Sequence, residues 1–309
     1  MTRLPDPEAL AFPDLADLPR ARNRQNTDRI ECDLTLDEIE ALTLQQAMLR
    51  SDGIIRAAVK RWNPVAVIGL YSGGNDSTTM MHLLRPHLTH AAHINTGIGI
   101  DETRTFVRDT CAAWSLPLIE EQPPPGCTYR ELVLRFGFPG PAGHGLMYSR
   151  LKERGLREVR RRFIVTPRKD RVLFVAGMRL AESARRERNA NEEHRDGSTV
   201  WVSPIIHWTT KLMGEYRDRH DVPHNEVTDH LHMSGECLCG AFAKPGELEQ
   251  IRFFYPAMAE QIEALEGEAR AAGVHATWGT RPPRGATLTA PSVGVLCQKC
   301  ELPFGEGVQ

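Results

Sequence analysis

The sequence lacks an apolar run of the ~18 residues that a membrane-spanning helix needs, so no membrane span is expected. It also lacks a strong charge of either sign: the formal net charge of −2 gives no global reason to bind nucleic acid or an anionic membrane. The first twenty residues, MTRLPDPEALAFPDLADLPR, contain no signal-peptide core. Together with 41% hydrophobic and 25% charged residues, these absences predict a globular cytoplasmic protein.

The seven cysteines are an odd number, and four of them form two close pairs. In a reducing compartment, paired cysteines favour metal ligation over disulfides. Cys237 and Cys239 form a C-x-C, and Cys297 and Cys300 form a distant C-x-x-C. Four thiolates can complete a tetrahedral metal or iron–sulfur site, although four unrelated buried thiols would also be compatible with the sequence. The other three cysteines lack such partners and are expected in the core: Cys32, Cys111 and Cys127.

A glycine turn lies between an apolar run that ends at Leu70 and a helix-like segment that starts at Thr78. Its two glycines expose backbone N–H groups, and the helix N-terminus adds a positive dipole end, so the turn predicts a phosphate site. Asp76 is a candidate to hold Mg²⁺ against that phosphate. An ordinary strand-to-helix turn is the alternative. The candidate phosphate ligands around Asp76 are Ser72, Gly73, Gly74, Asn75 and Ser77.

Two further segments carry candidate nucleotide ligands. The strand predicted from His90 to Asn95 leads into Thr96 and Gly97, for which a plain strand end before a helix cap is the alternative. The strand predicted from Val172 to Ala176 leads into a segment whose polar side chains would share one face of a helix and suit phosphate or sulfate oxygens. A solvent-exposed, salt-bridged helix would explain the same residues. They are Arg179, Glu182, Ser183 and Arg186.

Alternating strands and helices predict a doubly wound, mostly parallel α/β sheet that binds its ligand at the carboxyl ends of the strands. We expect three parts: an N-terminal arm and helical pair over 1–62, a nucleotide-binding domain over 63–235, and a helical, cysteine-bearing segment over 236–309. In the first part, Thr35 begins a capping box, and Ser51 is expected to cap a second helix that ends at Trp62.

The strand–SGGxDS–helix unit resembles the pyrophosphate loop of the ATP-pyrophosphatase and phosphoadenosine-phosphosulfate (PAPS) reductase superfamily. The segments around Asn95 and Arg179 are similar to the family's D-T-G-x-x-x-x-E-T and G-x-R-x-x-E-S-x-x-R motifs. Two residues depart from the family, since Asn75 replaces a frequent Lys and Asn95 a frequent Asp. The resemblance implies an adenine nucleotide alpha-hydrolase-like fold in which Asp76, Arg179 and Arg186 are catalytic.

Within this superfamily, the retained Asp76 favours an ATP-pyrophosphatase-type enzyme that adenylates an acceptor with ATP and Mg²⁺, similar to sulfur-transfer enzymes of DNA phosphorothioation. The acceptor would be a nucleic acid or a small molecule, and a sulfur-donor protein is a possible partner. The alternatives are a thioredoxin-dependent PAPS or adenylyl-sulfate reductase and a non-catalytic nucleotide-binding module. Reductases of the family carry a cysteine in an E-C-G-x-H-like tail, which the terminal CQKCELPFGEGVQ lacks. For the four cysteines the family favours a four-iron four-sulfur cluster, with Zn²⁺ as the alternative.

Overall fold

The computed structural model describes residues 29–182 and 191–282. These residues form two compact units. The first is built from residues 29–70, 76–91, 163–182 and 191–223, and the second from 71–75, 92–162 and 224–282. Among the described residues, no helix is both long and apolar enough to cross a membrane.

The regular elements follow the alternation expected from the sequence. In chain order the strands are β1 (Arg29–Glu31), β2 (Ala66–Leu70), β3 (His90–Ile94), β4 (Leu118–Glu121), β5 (Val172–Val175), β6 (Asn191–Asp196) and β7 (Thr199–Val202). The first helices are α1 (Leu36–Glu40), α2 (Leu44–Trp62), α3 (Asn75–Leu84), α4 (Asp101–Ala113), α5 (Tyr129–Phe136) and α6 (His144–Tyr148). They are followed by α7 (Arg154–Arg161), α8 (Thr210–His220), α9 (Val227–Leu231), α10 (Glu247–Phe254) and α11 (Pro256–Ala271).

The first unit contains the strands in the order β1-β6-β7-β5-β2, and β3 begins beside β2. β5 runs parallel to both β2 and β7, whereas β6 is antiparallel to β7 and to β1. Every residue of β2 and β5 is buried, which is typical of parallel strands covered on both faces. The predicted α/β fold with a mostly parallel sheet is therefore confirmed.

Strand β6 was not expected from the sequence, because NEEHRD contains no apolar residue. Its stability comes from charged partners on α2. Glu192 is buried and accepts a hydrogen bond from Arg50 at 2.6 Å. Glu193 is also buried and accepts from Arg61 at 2.7 Å, so each buried carboxylate faces a guanidinium.

The helical pair before β2 is confirmed, but Ser51 is not a cap. Capping boxes at Thr35 and Thr43 start the two helices, which places Ser51 in the middle of α2. There its hydroxyl lies 3.0 Å from the Ala47 carbonyl and 2.8 Å from the Pro204 carbonyl. Ser51 also accepts a hydrogen bond from the indole of Trp208, so it joins α2 to the chain that follows β7.

The second unit contains the end of β3 and its neighbour β4, with a largely helical core. Pro256 begins α11 at a position where a missing N–H costs nothing, and so separates α10 from α11 as the sequence predicts. The core packs side chains from α5, α10 and α11 around Ile98 and Leu238, with Cys237 and Cys239 against it. Between α6 and α7, Ser149–Glu153 forms a π-helical turn.

Candidate functional site

In the first unit, two of the predicted catalytic residues form an ion pair. Nε of Arg179 donates to Oδ2 of Asp76 at 2.9 Å, and only 9% and 14% of the two side chains are exposed. Nη1 of Arg179 lies 3.4 Å from both the Trp208 carbonyl and the Thr210 hydroxyl. Three acceptors therefore fix the guanidinium, and the carboxylate balances its charge.

A glycine lets the strand that precedes Arg179 approach Asp76. A Cβ atom on Gly177 would lie 3.0 Å from the backbone N of Ser77 and 3.1 Å from the Asp76 carbonyl. The chain then forms a single 3₁₀ turn over Leu180–Glu182, whose Leu180 N–H donates to the Ile206 carbonyl. The predicted helical face is therefore not formed at Arg179, which precedes that turn.

Three of the predicted site residues in this region cannot be compared with the structure. The side chain of Glu182 and the whole of Ser183 and Arg186 lie outside the described residues.

In the second unit, the glycine loop is held by residues that its own sequence does not reveal. Gly73 has φ +76°, a conformation that favours glycine. Nδ2 of Asn225 donates to the Gly73 carbonyl at 2.9 Å and to the Thr103 hydroxyl at 3.1 Å, and both side chains are buried. A Cβ on Gly74 would lie 3.2 Å from Cβ of Ser234, so the loop packs closely on the chain after α9.

Two further contacts order this loop. The N–H of Gly74 donates to the Ser72 hydroxyl at 3.4 Å, and the Thr228 hydroxyl donates to the side-chain oxygen of Asn75 at the same distance. Asn225 had a sequence signal, because it stands in a Pro-x-Asn that resembles the family pattern. Thr103 had one too, as the last residue of the segment similar to D-T-G-x-x-x-x-E-T, whereas Thr228 and Ser234 had none.

The side-chain amide of Asn95 forms hydrogen bonds that order the turn after β3. Nδ2 donates to Glu120 at 2.9 Å, and Oδ1 accepts from the Gly97 N–H at 3.0 Å and from Arg104 at 3.1 Å. Two hydrogen bonds from Arg108 lower the pKa of Glu120, with burial opposing and Asn95 assisting. Gly97 has φ +76° and open space around it, so backbone groups at this turn are accessible to a ligand.

The chain that carries the C-x-C runs along the predicted nucleotide segment. The Thr96 hydroxyl donates to the Glu236 carbonyl at 3.0 Å, and the Leu238 N–H donates to the Ile98 carbonyl at 2.6 Å. A Cβ on Gly99 would lie 2.3 Å from the Glu236 carbonyl oxygen, so only glycine permits this approach. Cys237 is thereby fixed next to Thr96.

A positive and a negative side chain lie near the two cysteine thiols. Lys152, from the π-helical turn, forms an ion pair with Glu236 at 2.9 Å. Burial alone would lower the pKa of Lys152, but attraction to Glu236 and Cys237 outweighs it and raises that pKa. The neighbouring Cys239 and, to a smaller extent, Lys152 lower the pKa of Cys237 against the effect of burial. The neighbouring Cys237 and burial raise the pKa of Cys239.

Only two of the four predicted cysteine ligands can be compared with the structure, because Cys297 and Cys300 lie outside the described residues. Over 29–182 and 191–282, no third cysteine, histidine or carboxylate joins Cys237 and Cys239 in a group that could hold a metal ion. Such a group does form in the first unit from Cys32, Asp33 and Glu192. However, Arg50 donates to both of its carboxylates, so a guanidinium already neutralises them.

The sequence is similar to known proteins over 77–78% of its length. The sequence profile described as the phosphoadenosine phosphosulfate reductase domain matches residues 66–234. Phosphoadenosine 5′-phosphosulfate reductase of Xylella fastidiosa (strain 9a5c) is 24% identical over 248 residues, which are 78% of this chain and 95% of that protein. The corresponding enzyme of Xanthomonas axonopodis pv. citri (strain 306) is 26% identical over 251 residues, 77% of this chain and 93% of that protein.

Among solved structures, the PAPS reductase of Candida auris in complex with phosphate has a TM-score of 0.45 and 16% identity, covering 64% of this chain and 93% of that one. The profile match extends over more than half of the sequence and includes the glycine loop, the turn at Asn95 and the Asp76–Arg179 pair. The chain therefore belongs to the phosphoadenosine phosphosulfate reductase domain family.

Proposed function

We propose that this chain reduces an adenosine 5′-phosphosulfate, with or without a 3′-phosphate, to sulfite. Family membership and the reductases that align over 93–95% of their length support this proposal. The glycine loop Ser72–Gly74 would bind the phosphate oxygens through backbone N–H groups. The turn at Asn95, Thr96 and Gly97 would bind the nucleoside.

The ion pair between Asp76 and Arg179 is the observation that favours a reductase over an ATP pyrophosphatase. An ATP pyrophosphatase uses the loop carboxylate for magnesium, whereas a reductase needs a fixed cation for the anionic leaving phosphate. Here the Asp76 carboxylate is bound by the guanidinium, and the pair is largely buried. We assign Asp76 the role of positioning Arg179, whose guanidinium would stabilise the departing nucleotide.

The test is sulfite release from PAPS and from adenylyl sulfate with dithiothreitol or thioredoxin as reductant. Arg179→Ala is expected to lower kcat/KM by roughly 10- to 150-fold, as the loss of ~1.5–3 kcal/mol from a charged hydrogen bond implies. Asp218→Asn removes an exposed carboxylate of α8 and is the matched control. No sulfite from either nucleotide would refute the proposal.

A second candidate is an ATP pyrophosphatase that adenylates an acceptor for sulfur transfer. It is favoured by one observation: Asp76 stands in the first turn of α3, directly after the glycine loop. Its acceptor would be a nucleic acid or small molecule, and its sulfur would come from a donor protein. Magnesium-dependent pyrophosphate release from labelled ATP, abolished in Asp76→Asn, would establish this candidate in place of the reductase. Nucleotide binding without either product would indicate a non-catalytic module.

The centre formed by Cys237, Cys239, Cys297 and Cys300, with a four-iron four-sulfur cluster or zinc, stays a separate proposal. Its support is the sequence spacing, since Cys237 and Cys239 are separated by one residue and Cys297 and Cys300 by two. Anaerobic purification followed by metal analysis and a visible spectrum tests it. Brown protein with iron and sulfide would indicate the cluster, colourless protein with stoichiometric zinc a structural site, and neither metal would remove the proposal.

A further inference from the structure

The chain that enters the glycine loop is held by a buried histidine of β3. Tyr71 follows the last residue of β2, and its N–H donates to the Ala92 carbonyl at 2.9 Å. Nδ1 of His93 lies 2.9 Å from the Tyr71 carbonyl oxygen. Because a carbonyl oxygen can only accept, Nδ1 carries the proton and donates it. Tyr71 and His93 are 2% and 1% exposed, so this hydrogen bond is shielded from water.

The second nitrogen of the same ring has no such role. Nε2 of His93 is buried and forms no hydrogen bond within the part of the chain that the structure describes. An apolar residue, which is usual in a buried strand, would avoid this unpaired nitrogen. The property that distinguishes His93 from such a residue is therefore its Nδ1 hydrogen bond to Tyr71.

This hydrogen bond fixes the orientation of the next N–H group along the chain. The peptide bond between Tyr71 and Ser72 is planar and trans, so its C=O and its N–H point in opposite directions. Since the carbonyl points towards His93, the N–H of Ser72 points away from that buried side chain.

A second side chain holds the glycine loop in the same manner. Nδ2 of Asn225 donates to the Gly73 carbonyl at 2.9 Å, and Asn225 is also buried. The peptide bond after Gly73 is trans as well, so the N–H of Gly74 points away from Asn225. Two carbonyl groups are thus held by buried donors, and the N–H groups that follow them are turned away from those donors. A turn that presents N–H groups and withdraws carbonyl groups suits an anion and not a cation.

We propose that His93 is a positioning residue of the glycine loop, which directs the Ser72 N–H at a phosphate oxygen of the nucleotide. The inference rests on the proposed function only in assigning a phosphate to this loop, and it requires no particular reaction. His93 acts through the peptide group of Tyr71 and does not touch the ligand. Binding of a nucleotide should therefore depend on His93, whereas binding of a nucleoside should not.

The experiment compares variants of His93 in the binding of AMP and of adenosine by the full-length chain, measured by titration calorimetry. His93→Asn keeps a donor, because an asparagine Nδ2 is as many bonds from the backbone as a histidine Nδ1. His93→Gln moves the amide one bond further out, and His93→Leu removes the donor. We expect the affinity for AMP to fall roughly tenfold in His93→Leu and His93→Gln, and to stay within about twofold of the parent in His93→Asn, as the loss of one buried hydrogen bond implies.

Adenosine has no phosphate, so its affinity should be the same in these variants as in the parent. His230→Leu is the matched control, because it removes a comparable hydrogen bond of the second unit, between His230 Nδ1 and the Tyr255 hydroxyl at 2.8 Å. It should bind AMP as the parent does. Equal losses of affinity for AMP and adenosine would indicate a structural role and overturn the inference. Parent affinity for AMP in His93→Leu, or no recovery in His93→Asn, would overturn it too.

This binding assay separates the inference from the proposed function, because it does not depend on sulfite release. A parent that binds AMP with the expected dependence on His93 but forms no sulfite would support the inference and remove the reductase proposal. Sulfite release by His93→Leu with the kcat and KM of the parent would overturn the inference and leave the reductase intact. A parent that binds no AMP would overturn the inference as well.

Discussion

Breaking the pair between Asp76 and Arg179 should destabilise the first unit by an amount that a double-mutant cycle can isolate. The two side chains are 14% and 9% exposed and are joined at 2.9 Å. A hydrogen bond between charged groups contributes roughly 1.5–3 kcal/mol to stability. Because Arg179 keeps acceptors at Trp208 and Thr210 when Asp76 is removed, we expect Asp76→Ala to cost about 2–3 kcal/mol.

Arg179→Ala is the more damaging change. It removes all three hydrogen bonds and leaves a largely buried carboxylate without its cation, so we expect a cost of about 3–5 kcal/mol. In the double variant neither charge is left unpaired. Its cost should therefore be close to that of Arg179→Ala alone, so the coupling energy equals the cost of Asp76→Ala, about 2–3 kcal/mol.

The assay is urea denaturation of the parent, both single variants and the double variant, followed by circular dichroism and tryptophan fluorescence. The matched control is the pair Arg219 and Glu215 on α8, which is also in the first unit but is 65% and 33% exposed. An exposed pair of this kind should couple by no more than about 0.5 kcal/mol. If Asp76 and Arg179 couple no more strongly than the control pair, the argument that they form one positioned unit is wrong.

Three further predictions test other parts of the structure. Asn225→Asp keeps the side-chain shape but removes the donor to the Gly73 carbonyl, so KM for the nucleotide should rise roughly tenfold, as the loss of ~1–1.5 kcal/mol implies, in steady-state assays. Gly99→Ala places a Cβ 2.3 Å from a carbonyl oxygen and should cost about 1–3 kcal/mol of unfolding free energy, measured in urea. Burial lowers the pKa of His207 to about 3 and of His82 to about 4, from 6.5. Because the unfolded chain takes up these protons first, stability present above pH ~6.5 should fall by about 2 kcal/mol per histidine on going to pH 5, and His207→Gln should remove its share of the slope.

The strands that the sequence predicted well are those whose own residues are apolar. β2 and β5 were found as expected, since a fully buried parallel strand is a continuous apolar run. β6 was read as a turn-rich excursion because its burial depends on Arg50 and Arg61, which lie more than a hundred residues earlier. Such long-range charge pairing leaves no periodicity in the strand itself.

The candidate site was likewise predictable from the sequence only in part. The glycine loop and the residue types around Asp76 and Arg179 were recognisable from local sequence, because a tight turn and a guanidinium each have a local signature. The contact between these two residues was not recognisable from the sequence, because 103 positions separate them. The contact of the C-x-C segment with Thr96 depends on the glycine at position 99. The need for glycine there becomes apparent only in the structure, where the two segments of the chain lie side by side.

The π-helical turn over Ser149–Glu153 makes the position of Lys152 sensitive to chain length. A π turn contains one more residue than the α-helical turn it replaces, so it arises from a single-residue insertion into a continuous helix. Removing one residue here would restore regular α-helix from His144 to Arg161 and rotate one half against the other by about 100°. Lys152 would then leave Glu236, although its identity and every other side chain had been preserved. Relatives that differ by one residue in this helix should therefore differ in the charge beside the cysteine pair, and gap placement in an alignment carries chemical information at this point.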